Sequence, residues 1–76
     1  MTVKIYTTNH CPYCAMAKEY FKKNKVNYTE VNVEENEKAA EEMIEKSGQM
    51  GVPVIEINDE IIVGFNRGAI EKALKK

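Results

Sequence analysis

Cys11-Pro12-Tyr13-Cys14 contains the only two cysteines of this 76-residue chain, and it stands where a short apolar strand gives way to a helix. Residues three apart on an α-helix share a face, with a rise of roughly 4.5 Å between them, so the two cysteines come within disulfide range. Pro12 suits the first helical position, because its missing N–H would have no partner there and its fixed φ is already helical. The stretch therefore predicts a redox-active pair, Cys11 and Cys14, at the start of a helix.

The two cysteines are expected to differ. Cys11 lies at the helix mouth, where unpaired N–H groups and the positive end of the dipole favour a thiolate. Lowering a thiol pKa from ~8.5 to ~6 raises the thiolate fraction at pH 7 from about 3% to about 90%, a difference of roughly 3.4 kcal/mol. A helix terminus supplies about 0.3–2 kcal/mol of this, and Cys14, one turn further in, should be more buried. We expect Cys11 to attack a disulfide and Cys14 to resolve the product.

Other uses of a Cys-x-x-Cys pair depend on what else the chain provides. Structural zinc needs four Cys or His ligands, and only His10 remains, adjacent to Cys11, so no metal site is predicted. A structural disulfide that closes so short a loop would restrict the unfolded chain little. Two further alternatives are an iron–sulfur cluster carrier, in which two chains share a cluster through Cys11 and external thiols, and a redox-inert interaction domain.

Length and charge limit the classes of function. A chain of 76 residues predicts one domain, residues 1–76, with a modest core. The formal net charge of -1 argues against a nucleic-acid surface. The longest apolar run, residues 61–63 extended by Gly64 and Phe65, is too short to span a bilayer, and no signal peptide is visible. We therefore expect a cytoplasmic monomer with neither a membrane nor a nucleic-acid partner, and a cysteine pair in that reducing compartment is more often catalytic than structural.

Hydrophobic periodicity predicts the element order β-α-β-α-β-β-α. Strands are expected at residues 3–7 and 26–33, and helices from 12 to about 24 and from the acid-rich stretch 34–37 to about 46. Two short strands, 54–57 and 60–63, flank an Asn58-Asp59 turn, and the last helix follows Asn66 as its candidate N-cap. A right-handed crossover makes the first two strands parallel, so we expect an α/β fold with a four-stranded mixed sheet flanked by helices. Cys11 would then lie beyond the carboxyl end of a parallel strand, where ligands gather.

Helical spacing also predicts which side chains face the core, and it makes Gly48 a candidate C-cap for the second helix. The expected inward residues are Cys14, Ala17, Tyr20 and Phe21 in the first helix, Ala39, Ala40, Met43, Ile44 and Ser47 in the second, and Ala69, Ile70, Ala73 and Leu74 in the last.

Over nearly its whole length the chain resembles a glutaredoxin, the small member of the thioredoxin-fold superfamily. Three motifs carry the resemblance: the Cys-Pro-Tyr-Cys stretch, the segment Ser-Gly-Gln-Met-Gly-Val-Pro at residues 47–53, and Gly64-Phe65 before the last helix. The resemblance implies a thioredoxin-like fold, a dithiol thiol–disulfide oxidoreductase activity, and a cis Val52-Pro53 bond with Val52 against the disulfide. In that family the backbone before the proline pairs with a substrate peptide or with glutathione, so Val52 and Pro53 are candidate binding residues.

The resemblance extends the candidate binding surface beyond that bond. Tyr13 is expected to flank a bound thiol, and Gln49 offers a hydrogen-bonding side chain. The first amide N–H groups of the last helix, at Asn66 and Arg67, can donate to a carboxylate, and Gly64 and Phe65 precede them.

Three residues around the first cysteine are expected to tune the site. Thr8 stands where glutathione-using relatives usually carry Lys or Arg, which predicts a smaller lowering of the Cys11 pKa. His10 is a candidate for raising the positive potential beside Cys11. Pro12 stiffens the start of the helix.

Several residues differ from those of glutathione-using relatives, and these differences bear on which electron donor the protein uses. Met50 and Gly51 replace a cation and a threonine, and residues 63–67 read Val-Gly-Phe-Asn-Arg where such relatives have Gly-Gly-x-Asp-Asp. The Gly-Phe pair is similar to that of the NrdH-type redoxins, which take electrons from thioredoxin reductase and pass them to ribonucleotide reductase, although those proteins typically have other residues between their cysteines. No bound cofactor is expected. The expected substrates are disulfide-containing proteins, with glutathione as co-substrate or thioredoxin reductase as the electron donor.

Overall fold

A computed structural model describes residues 2–75, which form the predicted succession of elements. The strands are β1 (Val3–Thr7), β2 (Thr29–Asn32), β3 (Val54–Ile57) and β4 (Glu60–Val63), and the helices are α1 (Pro12–Lys23), α2 (Glu37–Ser47) and α3 (Arg67–Leu74). Within the described residues the strands make one four-stranded sheet in the order β2-β1-β3-β4. The pair β1–β2 is parallel, while β1–β3 and β3–β4 are antiparallel, so the predicted mixed sheet is confirmed.

Helices cover both faces of this sheet, because successive side chains of a strand point to opposite sides. On one face, α1 and α3 pack on the strands in a core that includes Ile5, Phe21, Ile55 and Ile70. On the other face, α2 packs on Tyr6 and Val54 through Ala39 and Met43. Among residues 2–75 no helix has the length and apolarity needed to cross a bilayer.

The second strand is shorter than the sequence predicted. The chain turns at Lys25, whose φ is +56°, and the Val26 N–H donates to the carbonyl of Phe21 at 2.8 Å. This wraps residues 25–28 around the end of α1, so Val26 and Tyr28 pack against the core without joining the ladder. The strand predicted at 26–33 therefore pairs with β1 only over Thr29–Asn32.

The second helix begins later than predicted. Asn36 is its N-cap, with Oδ1 accepting the Ala39 N–H at 3.1 Å, so residues 34–36 lie outside the helix. At the other end, Gly48 has φ +76° and its N–H donates to the carbonyl of Ile44, which confirms the predicted C-cap.

The buried stripe of α2 is also narrower than predicted. Ala39 and Met43 are buried, whereas Ala40 and Ser47 are half-buried, and Ile44 is 37% exposed. The assignment of Ile44 to the core was wrong, because a helix that lies on one sheet face buries only the side chains directed at that face.

The other two helices follow the prediction more closely. In α3, Asn66 is the N-cap through its bond to the Ala69 N–H, which confirms that prediction, and Ile70 and Ala73 are buried. Four other residues were predicted to face the core. Phe21 and Ala17 are buried, and Tyr20 and Leu74 are partly buried against the same core.

An ion-paired network fixes α2 to the sheet. The Glu42 carboxylate accepts from the Tyr6 hydroxyl at 2.8 Å, from Lys46 at 3.0 Å and from Lys4 at 3.3 Å, and Lys46 also reaches Glu56 at 2.9 Å. The hydrogen bond from Tyr6, followed by those from Lys46 and Lys4, lowers the pKa of Glu42 from 4.5 to about 2. The Glu42 carboxyl group is therefore a stronger acid in the folded chain than in the unfolded one.

We expect this network to make stability depend on pH. A folded-state pKa below the unfolded value gives stability that is present above about pH 5 and lost as the pH falls toward about 2. Glu42→Gln should therefore lower the free energy of unfolding near neutral pH, and its deficit relative to the wild type should shrink through that window. Chemical denaturation at a series of pH values measures this. Glu41→Gln, the same change at the neighbouring exposed residue, is the control, and equal deficits in the two variants would contradict the prediction.

Candidate active site

Cys11 lies between the first strand and the start of α1. After β1 ends at Thr7, a short loop leads to Cys11, which has an extended backbone and acts as the N-cap of the helix. Its Sγ accepts the Cys14 N–H at 3.1 Å, and Pro12 occupies the first helical turn. Cys11 and Cys14 are joined in a disulfide, with a Cα–Cα distance of 5.1 Å. The predicted arrangement at the helix mouth is thus present.

The two sulfurs have different surroundings. Cys14 is only 1% exposed and belongs to the buried face of α1, whereas Cys11 is half-buried and open to solvent. A thiolate at Cys11 would keep the hydrogen bond from the Cys14 amide and the positive end of the α1 dipole, both of which stabilise a negative sulfur. The position of Cys11 at this helix start suits a nucleophile, and that of Cys14 suits an internal thiol.

A second loop runs beside the cysteine loop. The Val52-Pro53 peptide bond is cis, as the resemblance implied, and Pro53 is buried. Because Tyr6 pairs with Val54 in the antiparallel β1–β3 ladder, the segment before β3 and the loop after β1 lie at the same end of the sheet. Among residues 2–75, the backbone N–H and C=O of Val52 have no hydrogen-bond partner. This backbone is therefore free to pair with an incoming chain.

Side-chain hydrogen bonds shape the loop before the proline. The Ser47 hydroxyl donates to the carbonyl of Met43 at 2.7 Å, and the Gln49 amide Nε2 donates to the carbonyl of Gly51 at 3.2 Å. The Gln49 side chain thus lies over Gly51, where a Cβ would meet it at 3.4 Å. Met50 is 77% exposed at the loop tip. One N–H of the Gln49 side chain is therefore hydrogen-bonded within its own loop.

A third loop, residues 64–66, is hydrogen-bonded to the cis-proline segment. Gly64 takes φ +80°, which favours glycine, and its N–H donates to the carbonyl of Pro53 at 2.8 Å. The following Phe65 is half-buried against the Tyr20 ring, 6.2 Å between centroids. The Arg67 guanidinium stands 5.4 Å from the centre of the same ring. A cavity of about 310 Å³ lies along α1, and neither cysteine lines it. Its lining residues are Met16, Glu19, Tyr20, Lys23, Asn24, Phe65 and Arg67.

The remaining predicted residues vary in exposure. Tyr13 is 61% exposed, and Met16, one turn along α1, is 49% exposed. His10 is exposed and Thr8 is half-buried, and the structure gives neither side chain a hydrogen bond within residues 2–75. Tyr13 and Met16 thus put apolar surface next to the disulfide.

A hydrogen-bonded group of three side chains at the end of β1 was not predicted from the sequence. The Thr7 hydroxyl donates to Glu30 at 2.9 Å, and Lys18 pairs with the same carboxylate oxygen at 2.9 Å. The hydrogen bond from Lys18 holds the pKa of Glu30 below its usual value. This group ties α1, β1 and β2 together where Cys11 leaves the sheet, and its members are too far apart in sequence for any motif to reveal it.

Comparison with protein families accounts for this combination of site and fold. The family model for Glutaredoxin matches residues 3–62, which include the disulfide, the cis-proline and the first two helices. The chain belongs to the glutaredoxin family. Glutaredoxins are thiol–disulfide oxidoreductases, so the Cys11–Cys14 pair is a dithiol redox centre and the protein is an enzyme of that class with redox partners.

Individual glutaredoxin relatives cover almost the full chain. A glutaredoxin-like 8.6 kDa protein of the rubredoxin operon of Clostridium pasteurianum is 47% identical over 74 residues, covering 97% of this chain and 99% of its own. Glutaredoxin 3 of Escherichia coli is 36% identical, with 96% of each chain covered. The solved structure of the glutaredoxin-like NrdH-redoxin of Escherichia coli superposes with a TM-score of 0.85 at 28% identity, over 95% of this chain and 93% of that one. The thioredoxin-like fold is thereby confirmed.

Proposed function

We propose that this glutaredoxin reduces protein disulfides and mixed disulfides, with Cys11 as the nucleophile and Cys14 as the resolving thiol. The Cys11 thiolate attacks one sulfur of the substrate, forms a mixed disulfide and expels the other sulfur as a thiolate. Cys14 loses its proton and attacks the Cys11 sulfur, which releases the substrate as a dithiol and leaves the Cys11–Cys14 disulfide. Two electrons pass to the substrate. The observation that carries this assignment is the difference in burial between Cys11 and Cys14.

The substrate segment is proposed to dock as an added strand on Val52. Its unpaired backbone groups supply two hydrogen bonds for an extended chain, and they lie beside the cysteine loop. Tyr13, Met16 and Met50 provide exposed apolar contacts around that chain. An extended protein segment suits this surface, because the backbone gives affinity while flexible methionines accept varied side chains.

For the electron donor, we propose a flavoprotein of the thioredoxin reductase class. Residues 49–52 and 63–66 carry neither an acidic nor a basic side chain that would recognise the charged groups of glutathione. Asn66 is used as a helix cap, and Arg67 lies over Tyr20 and pairs with Glu71. The similarity to an NrdH-redoxin described as having a thioredoxin-like activity profile supports this donor. The NrdH-type resemblance of the Gly64-Phe65 pair makes ribonucleotide reductase a candidate target.

Glutathione is the second candidate donor. The first amides of α3 and the free backbone of Val52 remain available to a tripeptide, and a relative 36% identical is glutaredoxin 3. In either case we propose a monomer with no bound cofactor, acting in the cytoplasm, where such donors keep thiols reduced.

A comparison of the two electron donors tests which of them reduces the protein. The oxidised protein is mixed with reduced glutathione, or with NADPH and thioredoxin reductase, and the appearance of its two thiols is followed over time. We expect reduction by the flavoprotein at catalytic concentration to outpace reduction by millimolar glutathione. Asn66→Asp and Met50→Lys, which add charges where glutathione-using relatives carry them, should speed only the glutathione reaction. Fast reduction of the unmodified protein by glutathione, with none by the reductase, would reverse the proposed order of donors.

A further inference from the structure

A ring of hydrogen bonds, here called the Asn9 clamp, joins Asn9, Asn32 and Glu34. The Asn9 backbone N–H donates to Glu34 Oε1 at 3.1 Å, and its side-chain amide donates to Glu34 Oε2 at 3.0 Å. Asn32 donates to Asn9 Oδ1 at 2.7 Å, and its own oxygen accepts the Glu34 backbone N–H at 2.9 Å. Both amide side chains therefore act as donor and acceptor, and the carboxylate uses both of its oxygens.

The clamp fixes the loop that presents the nucleophile. Among the described residues, Asn9 makes the only side-chain hydrogen bonds of the three residues between β1 and Cys11, since Thr8 and His10 have none. Asn32 is the last residue of β2, and the Val33 N–H that follows it donates to the carbonyl of Thr7 at 2.8 Å. The Asn9 side chain thus joins the loop between β1 and Cys11 to the end of β2 and to the turn before α2.

We propose that Glu34 is a positioning residue for Cys11. It holds Asn9, two residues before the cysteine, and so keeps Sγ where it accepts the Cys14 amide. Hydrogen bonds weaken steeply with misalignment, so a loosened loop would leave the thiolate less stabilised. The inference rests on the proposed role of Cys11 as the nucleophile and adds the residue that orients it.

A positioning role and a purely electrostatic role for Glu34 predict opposite changes in the Cys11 pKa when the carboxylate is removed. A carboxylate near a thiolate disfavours the negative sulfur, so removing its charge alone would lower the thiol pKa and speed attack at acidic pH. Loss of the clamp would raise that pKa and slow the attack. The sign of the change therefore distinguishes a positioning residue from an electrostatic bystander.

The test uses alkylation of the reduced protein by iodoacetamide, followed by mass spectrometry, together with the pH titration of thiolate absorbance. In Glu34→Gln one N–H of Asn9 loses its acceptor, and we expect the titration midpoint of Cys11 to rise by about half a unit and alkylation below that midpoint to slow about threefold. Asn32→Ala, which changes no charge, should act in the same direction. The double variant should be no slower than the slower single variant, because both changes open one ring.

Glu35→Gln is the matched control, since it removes a neighbouring charge and leaves the Glu35 backbone N–H on Asn32. It should react as the wild type does or slightly faster. If Glu34→Gln reacts as fast as Glu35→Gln, or if Asn32→Ala matches the wild type, the positioning role is overturned. Chemical denaturation checks that each variant is folded. Alkylation needs no redox partner, so a failed donor assignment would leave this result standing, whereas unreactive Cys11 in the wild type would defeat the proposed function itself.

Discussion

Replacing Cys11 by serine should abolish disulfide reduction, whereas replacing Cys14 should stop the cycle half-way. Cys11→Ser leaves only a thiol that is 1% exposed, so no nucleophile reaches the substrate. Cys14→Ser keeps the nucleophile but lacks the thiol that attacks the mixed disulfide. We expect reduction of a protein disulfide to be undetectable with Cys11→Ser, and a one-to-one covalent adduct to accumulate with Cys14→Ser.

Turnover assays with an excess of donor, and intact-mass measurement of the products, separate these outcomes. Cys14→Ser can retain exchange with small mixed disulfides if glutathione resolves the adduct in place of Cys14. The roles assigned to the two cysteines would have to be exchanged if the adduct formed on Cys11→Ser instead.

The second large effect concerns the core under the site. Phe21 is completely buried on α1, with its ring 5.5 Å from that of Tyr28 and 5.9 Å from that of Tyr20. Replacing a buried phenylalanine by alanine costs about 3–5 kcal/mol, and a domain of this size has about 4–11 kcal/mol in total. A loss of 3 kcal/mol corresponds to a fall of roughly 12–24 °C in Tm. We therefore expect Phe21→Ala to lower the Tm by about 12 °C or more.

Thermal unfolding followed by circular dichroism measures the effect. Tyr13→Ala is the matched control, because it also removes an aromatic ring from α1 but at a site 61% exposed, and it should change the free energy of unfolding by less than about 0.5 kcal/mol. Similar Tm values for the two variants would contradict the described core.

The predictable parts of the site are those set by local sequence. The Cys-x-x-Cys spacing and Pro12 specify a helix start, and Asn66 and Gly48 follow capping rules that need only a few neighbouring residues. The cis bond before Pro53 was implied only by the family resemblance, because general rules for proline in strands say only that it lies at a strand start or an edge. The Asn9 clamp spans 25 residues of sequence and could not be read from any motif.

The errors in the fold have the same origin. Val26 and Tyr28 carry a strand-like alternation, yet the hydrogen bond from Val26 to Phe21 holds them against the end of α1 and outside the sheet. Ile44 fits helical spacing, but how much of α2 is covered depends on the width of the sheet beneath it. In each case a long-range or loop contact decided between conformations that local pattern allowed.

The most direct measurement of the central claim is the site of alkylation in the reduced wild-type protein. A limiting amount of iodoacetamide is added near pH 6, and peptide mapping then gives the fraction of label on each cysteine. The helix-capping, half-buried position of Cys11 and the burial of Cys14 predict a preference for Cys11 of about tenfold or more. Equal labelling, or labelling mainly at Cys14, would contradict the assignment of Cys11 as the attacking thiol.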